Sequence, residues 1–423
     1  MELSIEKRKS IPKDEWYRKY YWDLRKNVWN CSRDSYCKYI DTWEIKSSRF
    51  AKVCPSSLKY LFDAYSCQGR MDIALALIDG ELKYEESPQL LDIFYKCDTC
   101  GGCDVSCKRG KDMEPLRVLL EMRAKLVEDG WILPGHKSVI DRLKKKDSAT
   151  MKLKAKQGTW FEGLNVKDLS PQKAEVLFYL GCQFSHDKGR WKWAKMVVNL
   201  LKNAGFDVGI MGEIEACCGA RAYDIGYRRE FKECAQNNIK AWANAGVKII
   251  VTPCADCYYA FKILYPEYGS EFKVLHTVEI FDSLINEGKL KFSKAVPITV
   301  TFHDSCHIGR RAHIYKPGTP IMGLYEEPRN ILRAIPGMEL VEMERVKEFA
   351  WCCGAGGGVR EAYPDFSMWT AMERIEEARS TGAEALVTSC PWCESNFTEA
   401  LTVNGKGAKI KVFDIIELIQ QAI

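Results

Sequence analysis

The sequence predicts a mixed α+β and α/β protein: a helical N-terminal part, then one parallel α/β unit built twice. Three observations predict this. Five cysteines recur in one pattern, first as Cys182, Cys217-Cys218-Gly219 and Cys254-x-x-Cys257, then as Cys306, Cys352-Cys353-Gly354 and Cys390-x-x-Cys393. Around them short β-rich runs alternate with helical patterns, which implies parallel layers. Ahead of them the apolar residues fall at helical spacing around a separate cysteine cluster.

The elements follow in chain order. Residues 1–30 form an extension rich in aromatics, with Trp16, Tyr17, Tyr20, Tyr21, Trp22 and Trp29. Its periodicity reads as an amphipathic helix, packed on the next domain or docking another subunit. Residues 31–130 hold the first cysteine cluster, with helices expected over 70–82 and 113–129. Residues 131–170 read as a linker, its basic stretch from Arg142 onward solvated. The repeats occupy 171–290 and 295–423. Strands are expected at 174–181, 247–252, 298–304 and 385–388, each stopping at or just before a cysteine. Helices are expected at 191–204, 227–245 and 368–381, closed by Gly205, Gly246 and Gly382, the usual C-terminal stop. Further helices are expected after Cys257 and Cys393. Ligands of such sheets sit beyond the carboxyl ends of the strands. A helix N-terminus there favours bound thiolates.

Composition narrows the class. Of 423 residues 46% are hydrophobic, ordinary for a globular core. No export signal and no apolar run of about 18 residues or more is present. A cytoplasmic protein is expected, with any membrane attachment through a partner. Nineteen cysteines in C-x-x-C groups then point to metal or redox chemistry rather than disulfides. The formal charge is +5. A cubane on four thiolates carries roughly two negative charges, so the loaded protein would be acidic and no nucleic-acid partner is expected.

Cys97-x-x-Cys100-x-x-Cys103-x-x-x-Cys107 has the spacing of a bacterial [4Fe–4S] ligand run. Its partner run departs from that spacing. Cys31-x-x-Asp34-x-x-Cys37 carries aspartate in the middle, and Cys54-Pro55 follows after sixteen residues. Cross-pairing assigns one cubane to Cys31, Asp34 or solvent, Cys37 and Cys107. The other takes Cys97, Cys100, Cys103 and Cys54. A carboxylate is a harder ligand than a thiolate. An iron on Asp34 would therefore be labile, and that cluster would interconvert between [4Fe–4S] and [3Fe–4S]. The alternative is that Asp34 only caps a turn. Cys67 and Cys234 read as buried core residues.

Each five-cysteine set holds one thiol more than a zinc site or a cubane needs. Adjacent cysteines cannot easily share one tetrahedral metal, but they can bridge irons of a larger cluster. Gly219 and Gly354 would let backbone approach it. The run Gly354-Ala-Gly-Gly-Gly358 reads as a flexible loop against such a body, not as a nucleotide fingerprint.

The spacings match a known family. Thirty-four and thirty-five residues separate the cysteine groups of the first copy, forty-five and thirty-six those of the second. These, with His303-Asp-Ser-Cys306-His-Ile-Gly-Arg310, the stretch from Glu327 to Gly337, and Cys352-Cys-Gly-Ala-Gly-Gly-Gly358, resemble the CCG domains of the heterodisulfide reductase family. The front half resembles its ferredoxin-like two-cluster segment, in the order of the fused catalytic subunit. The resemblance implies two CCG domains related by pseudo-two-fold duplication. It implies two noncubane [4Fe–4S] clusters, one per complete cysteine set, facing each other and splitting a small-molecule disulfide. Partners implied are a flavoprotein, a ferredoxin or a membrane cytochrome. Relatives lacking some of these cysteines transfer electrons instead, beside flavin-dependent 2-hydroxy acid dehydrogenases for example. Here all ten are present. The departures are Asp34, the long gap before Cys54, Lys108 in place of proline after Cys107, and an insertion at 316–325 beside Cys306.

The chemistry expected is disulfide reduction, electrons arriving singly through the cubanes. Cys182 and Cys306 are the reactive-site thiols. His307 is the candidate proton donor, or else a group that only hydrogen-bonds sulfur or a carbonyl. His303 and Asp304 read as structural, and His186 is the analogue in the first repeat. His313 is the remaining nearby histidine. Two other readings stay open: an electron-transfer module for a flavin dehydrogenase or an aromatic-acyl-CoA reductase, and a colourless zinc or disulfide scaffold.

Overall fold

The computed structural model describes residues 24–111, 113–146, 160–313, 322–404 and 409–423. The aromatics Trp16–Trp22 and most of the insertion beside Cys306 lie outside them.

The front part is helical. It comprises α1 (Leu24–Trp29), α2 (Pro55–Tyr60), α3 (Cys67–Ile78), α4 (Leu90–Tyr95), α5 (Gly102–Gly110), α6 (Pro115–Glu128) and α7 (Pro134–Lys146). Proline at the first position of α2 and α6 has no N–H to leave unsatisfied there. Helix α3 begins three residues before the expected 70, because the Ser66 side chain accepts from Gly69 N. It ends four residues before the expected 82, at Gly80 with φ 76°.

Helix α7 corrects the linker reading. Its basic end from Arg142 is helical, and Val139, Ile140 and Leu143 are buried in the core. Those three sit at positions i, i+1 and i+4, one helical face, and the lysine run around them masks the signal.

The back part holds two parallel sheets. The first comprises β1 (Lys167–Asp168), β2 (Val176–Phe178), β3 (Val208–Ile210), β4 (Ile249–Thr252) and β5 (Lys273–His276), in the order β1-β3-β2-β4-β5. The second comprises β6 (Ile298–His303), β7 (Met338–Leu340), β8 (Ala385–Thr388) and β9 (Lys411–Asp414), in the order β7-β6-β8-β9. Strands β2 to β5 thus recur in the same spatial order as β6 to β9. The register repeats as well, Val176 opposite Ile249 and Val300 opposite Ala385. Strands β2 and β8 are wholly buried. One apolar core runs through both sheets, and a smaller one lies among the front helices.

The helices between strands are α8 (Cys182–Ser185), α9 (Trp191–Asn203), α10 (Ala220–Asp224), α11 (Arg228–Asn244), α12 (Ala255–Tyr259) and α13 (Thr277–Asn286) in the first repeat. The second has α14 (Glu326–Ala334), α15 (Val359–Ala362), α16 (Pro364–Ser380), α17 (Pro391–Asn404) and α18 (Ile415–Ala422). Helix α16 starts four residues ahead of the expected 368, with Pro364 at its first turn. Helices α12 and α17 begin between the two cysteines of each C-x-x-C, not after them.

Candidate metal centre

Strand order decides where the thiols meet. In the order 2-1-3-4 the winding of successive strands across the parallel sheet reverses between the first and third strands, and ligands bind beyond their carboxyl ends. Cys182 follows β2 and Cys254 follows β4, which are hydrogen-bonded neighbours. Cys306 and Cys390 follow β6 and β8 in the same way. The adjacent pairs Cys217-Cys218 and Cys352-Cys353 arrive from beyond β3 and β7.

Each set of five converges through sulfur contacts. Cys182 is within hydrogen-bonding reach of Cys217, Cys217 of Cys218, Cys218 of Cys257, and Cys257 of Cys254. In the second repeat the chain runs Cys306, Cys352, Cys353, Cys393, Cys390. All nineteen cysteines are free thiols. Cys254 caps α12 and Cys257 lies in its first turn, where unpaired N–H groups face outward.

Matching devices hold the two adjacent pairs. Asn238 Nδ2 donates to Cys217 O at 3.0 Å, and Tyr265 Oη donates to Cys218 O at 3.1 Å. Asn396 Nδ2 donates to Cys353 O at 2.7 Å. The Tyr179 hydroxyl donates to Ala216 O at 2.6 Å, and Glu215 accepts from Leu180 N and Gly181 N at 3.0 and 2.8 Å. In the second repeat Asp304 is bidentate to Arg329 at 2.7 and 3.0 Å and accepts from Lys347 N at 2.7 Å.

His303, structural on the sequence reading, stands closer to the thiols than that reading implies. Its Nδ1 lies 3.2 Å from Arg374 Nε, which donates to it. Its ligand nitrogen, Cys353 Sγ and Cys393 Sγ all lie within 4.8 Å of one another. His186 ends α8, its N–H donating to Cys182 O at 3.3 Å. His313 Nε2 lies 3.5 Å from Tyr258 Oη.

The two sets face each other. Cys390 feels the charge of Cys254 and Asp256 from the other repeat. Asp256 Oδ1 lies 3.3 Å from His307 Nδ1, and the same nitrogen lies 3.3 Å from Cys306 Sγ. Arg311 Nη1 lies 2.7 Å from His307 Nε2. Burial and the Arg311 charge oppose protonation of His307, but Cys306, Asp256 and Asp224 outweigh them and raise its pKa well above the usual value, so Nδ1 carries a proton facing Cys306 and Asp256. The Cys352 thiol, helped by His307 and Arg310, holds the Cys306 pKa well below the usual thiol value against burial. Asp224 accepts from Arg311 at 2.8 Å on both oxygens and from Thr99 Oγ1 at 2.9 Å.

In the front part Cys54, Cys97, Cys100 and Cys103 line one cavity, together with Cys67 and Arg70. Cys107 feels the charges of Cys103, Cys31 and Cys37. Asp34 is exposed, its carboxylate accepting from Tyr36 N at 3.1 Å and from Ser32 Oγ at 2.5 Å. That is the turn-capping geometry. Cys67 is buried, 3% exposed, and touches two thiols, Cys37 and Cys103. Cys234 is half-buried on α11 and packs beneath Gly219.

The glycine run after Cys353 is not loose. A Cβ on Gly356 would stand 2.5 Å from Asp98 O, and one on Gly357 2.4 Å from Cys97 O. The glycines admit the Cys97–Cys103 backbone rather than a cofactor. Cys100 then lies in thiol contact with Cys352. Sequence reasoning missed the arginines that fasten this junction. Arg310 Nε donates to Cys100 O at 2.6 Å, and Arg123 Nη2 donates to Cys97 O at 2.7 Å. Arg310 closes the His303–Arg310 stretch without a role being read from it, and no local pattern singles out Arg123.

The donor set suits iron–sulfur clusters, since soft thiolates favour them and the sets of five exceed the four that one zinc needs. Asp98 supports the fit. Both its carboxylate oxygens are buried without a protein partner. Burial, reinforced by Cys100, Cys353 and Cys306, pushes its pKa well up. The neutral carboxyl has an O–H to donate where sulfide would accept it.

Comparison with known proteins agrees. The family model of the cysteine-rich CCG domain matches residues 176–262 and 300–398. The chain is similar to one subunit of the dihydromethanophenazine:CoB–CoM heterodisulfide reductase of Methanosarcina acetivorans, at 32% identity over 81% of each chain. It is also similar to the EtfAB:quinone oxidoreductase of Syntrophomonas wolfei, at 30% identity over 78% of this chain and 46% of that one. A solved structure of a hypothetical protein from Helicobacter pylori aligns over 74% of this chain and 59% of its own, with TM-score 0.49 and 9% identity. Among the described residues no helix is long and apolar enough to cross a membrane.

Proposed function

This chain belongs to the heterodisulfide reductase family with CCG domains and is an iron–sulfur oxidoreductase, and from that premise we propose that it reduces a small-molecule disulfide between its two five-cysteine sites. The observation that carries the proposal is the contact across the repeats between Asp256, within the C-x-x-C of the first set, and His307, beside Cys306 of the second, at 3.3 Å.

Four centres are proposed. The ferredoxin-like front part holds two cubanes, one on Cys54, Cys97, Cys100 and Cys103 and one on Cys31, Cys37 and Cys107 with a further ligand. The first repeat holds a noncubane cluster on Cys182, Cys217, Cys218, Cys254 and Cys257. The second holds another on Cys306, Cys352, Cys353, Cys390 and Cys393. When bound, these clusters supply one-electron steps and, at the paired sites, iron to hold each sulfur of the cleaved bond. The reaction adds two electrons and two protons to one disulfide and releases two thiols.

The chain's own residues do the rest. The Cys100–Cys352 contact joins the front part to the second repeat, so electrons need cross no wide gap. Arg310 and Arg311 place positive charge beside Cys306 and Asp224. His307 holds a proton on Nδ1, 3.3 Å from Cys306 Sγ, while Asp256 and Arg311 fix its ring. That proton is positioned to reach a departing thiolate. Electrons are proposed to come from a partner: a flavoprotein, a ferredoxin or a membrane cytochrome.

The likeness to the EtfAB:quinone oxidoreductase favours one second reading, an electron-transfer component without disulfide turnover. Anaerobic purification separates the two. About sixteen irons per chain and viologen-driven disulfide reduction are expected. About eight irons would remove the noncubane clusters. Sixteen irons without turnover would leave the electron-transfer reading.

A further inference from the structure

The two thiol sets of the front part are unequal. One is complete, with Cys54, Cys97, Cys100 and Cys103 around a single cavity. The other has three thiols, Cys31, Cys37 and Cys107, and the aspartate in its run faces solvent. Asp34 sits between Arg33 at φ 58° and Ser35 at φ 69°, both left-handed. Within that turn its two oxygens are occupied by Tyr36 N and Ser32 Oγ.

Cys67 meets the incomplete set at Cys37. It is the first residue of α3, a twelve-residue helix capped by Ser66. The side chain is 3% exposed and lies between Cys37 of the incomplete set and Cys103 of the complete one. It also reaches the cavity wall. A cysteine present only for packing needs no sulfur neighbours, and this one has sulfur on both sides.

We propose that Cys67, not Asp34, is the fourth thiolate of the cluster held by Cys31, Cys37 and Cys107. The inference rests on the reading that these thiols hold clusters. Two consequences follow. The cluster is bound wholly by soft ligands, so no labile carboxylate-bound iron is present and interconversion with a three-iron form is not a property of the native chain. The replacement ligand also touches Cys103 of the neighbouring set, which brings the two sets into direct sulfur contact.

The test uses the full chain, purified without oxygen, as wild type, Cys67→Ser, Asp34→Ala and the double variant Cys67→Ser/Asp34→Cys. Iron and acid-labile sulfide are counted, and EPR spectra are recorded before and after reduction. Cys67→Ser is expected to lose about one iron per chain and to gain the signal of an oxidised three-iron cluster. Asp34→Ala is expected to match wild type. The double variant, whose position 34 faces solvent, is expected to keep the three-iron signal, and recovery of the four-iron spectrum would overturn the geometry that excludes Asp34. Wild-type iron and spectra in Cys67→Ser, or a three-iron signal in Asp34→Ala, would overturn the proposal. Should Cys67→Ser not fold, wild type in water enriched in oxygen-17 decides. No oxygen hyperfine coupling is expected on the cubanes, and a coupled, solvent-bound iron overturns the assignment. A wild-type protein without iron overturns the cluster reading itself.

Discussion

Arg123 fastens the Cys97–Cys103 loop to both repeats, and Arg123→Met should release it. The guanidinium is fully buried, lies 4.9 Å from the centre of the Tyr95 ring, and gives its hydrogen bonds to backbone carbonyls. It donates to Cys97 O at 2.7 Å and to Asp224 O and Gly357 O at 2.9 Å, besides Phe94 O at 2.9 Å within the front part. Two of these bonds, to Asp224 O and Gly357 O, join different parts of the molecule. Hydrogen bonds to a charged group are worth about 2 kcal/mol each, net of desolvation, so losing these two costs about 4 kcal/mol. Methionine fills nearly the same volume, so packing adds little. Urea unfolding of the anaerobically handled protein, followed by tryptophan fluorescence, measures the loss. Reduced protein should also pass electrons more slowly from the Cys97–Cys103 loop to the second repeat. A destabilisation under about 1 kcal/mol would mean that the carbonyls find water or other donors. The fastening role would then be wrong.

Two further outcomes test the site and the fold. His307→Ala should leave the iron count unchanged and lower disulfide turnover on the order of 100-fold, the usual worth of a positioned proton donor; an unchanged rate would make His307 a mere sulfur partner. Asp414 caps α18 through Ile416 N at 2.9 Å, and burial, with Glu394 adding to it, raises its pKa from the usual 3.8 to about 8. Between those values the folded state holds the proton more tightly than the unfolded chain. Stability is therefore fullest below about pH 4 and falls as pH rises towards 8. Asp414→Asn, which cannot ionise, should flatten that decline in urea midpoints taken from pH 5 to pH 8; equal slopes in the two proteins would refute it.

Cysteine spacing and strand-then-helix alternation are local and periodic, so the duplication is legible in the chain before any folding is considered. The strand at residues 385–388 and the glycine stops at Gly205, Gly246 and Gly382 are legible for the same reason: a strand run or a positive-φ terminus is written within a few residues. Helix α7 is not, since its lysines hide a narrow apolar face. Which distant residues meet is settled by packing alone. The order β3-β2-β4-β5 brings Cys182 beside Cys254, a choice no single strand encodes. The role of the glycine run emerges only with the backbone of Cys97 and Asp98 against it. Asp34 and Cys67 make the point most sharply. Spacing points to the aspartate, but a left-handed turn gives its oxygens to local donors, and α3 delivers a thiol from thirty-three residues further along. Ligand spacing is a local property of the chain, whereas proximity of ligand atoms is set by how the helices and sheets pack.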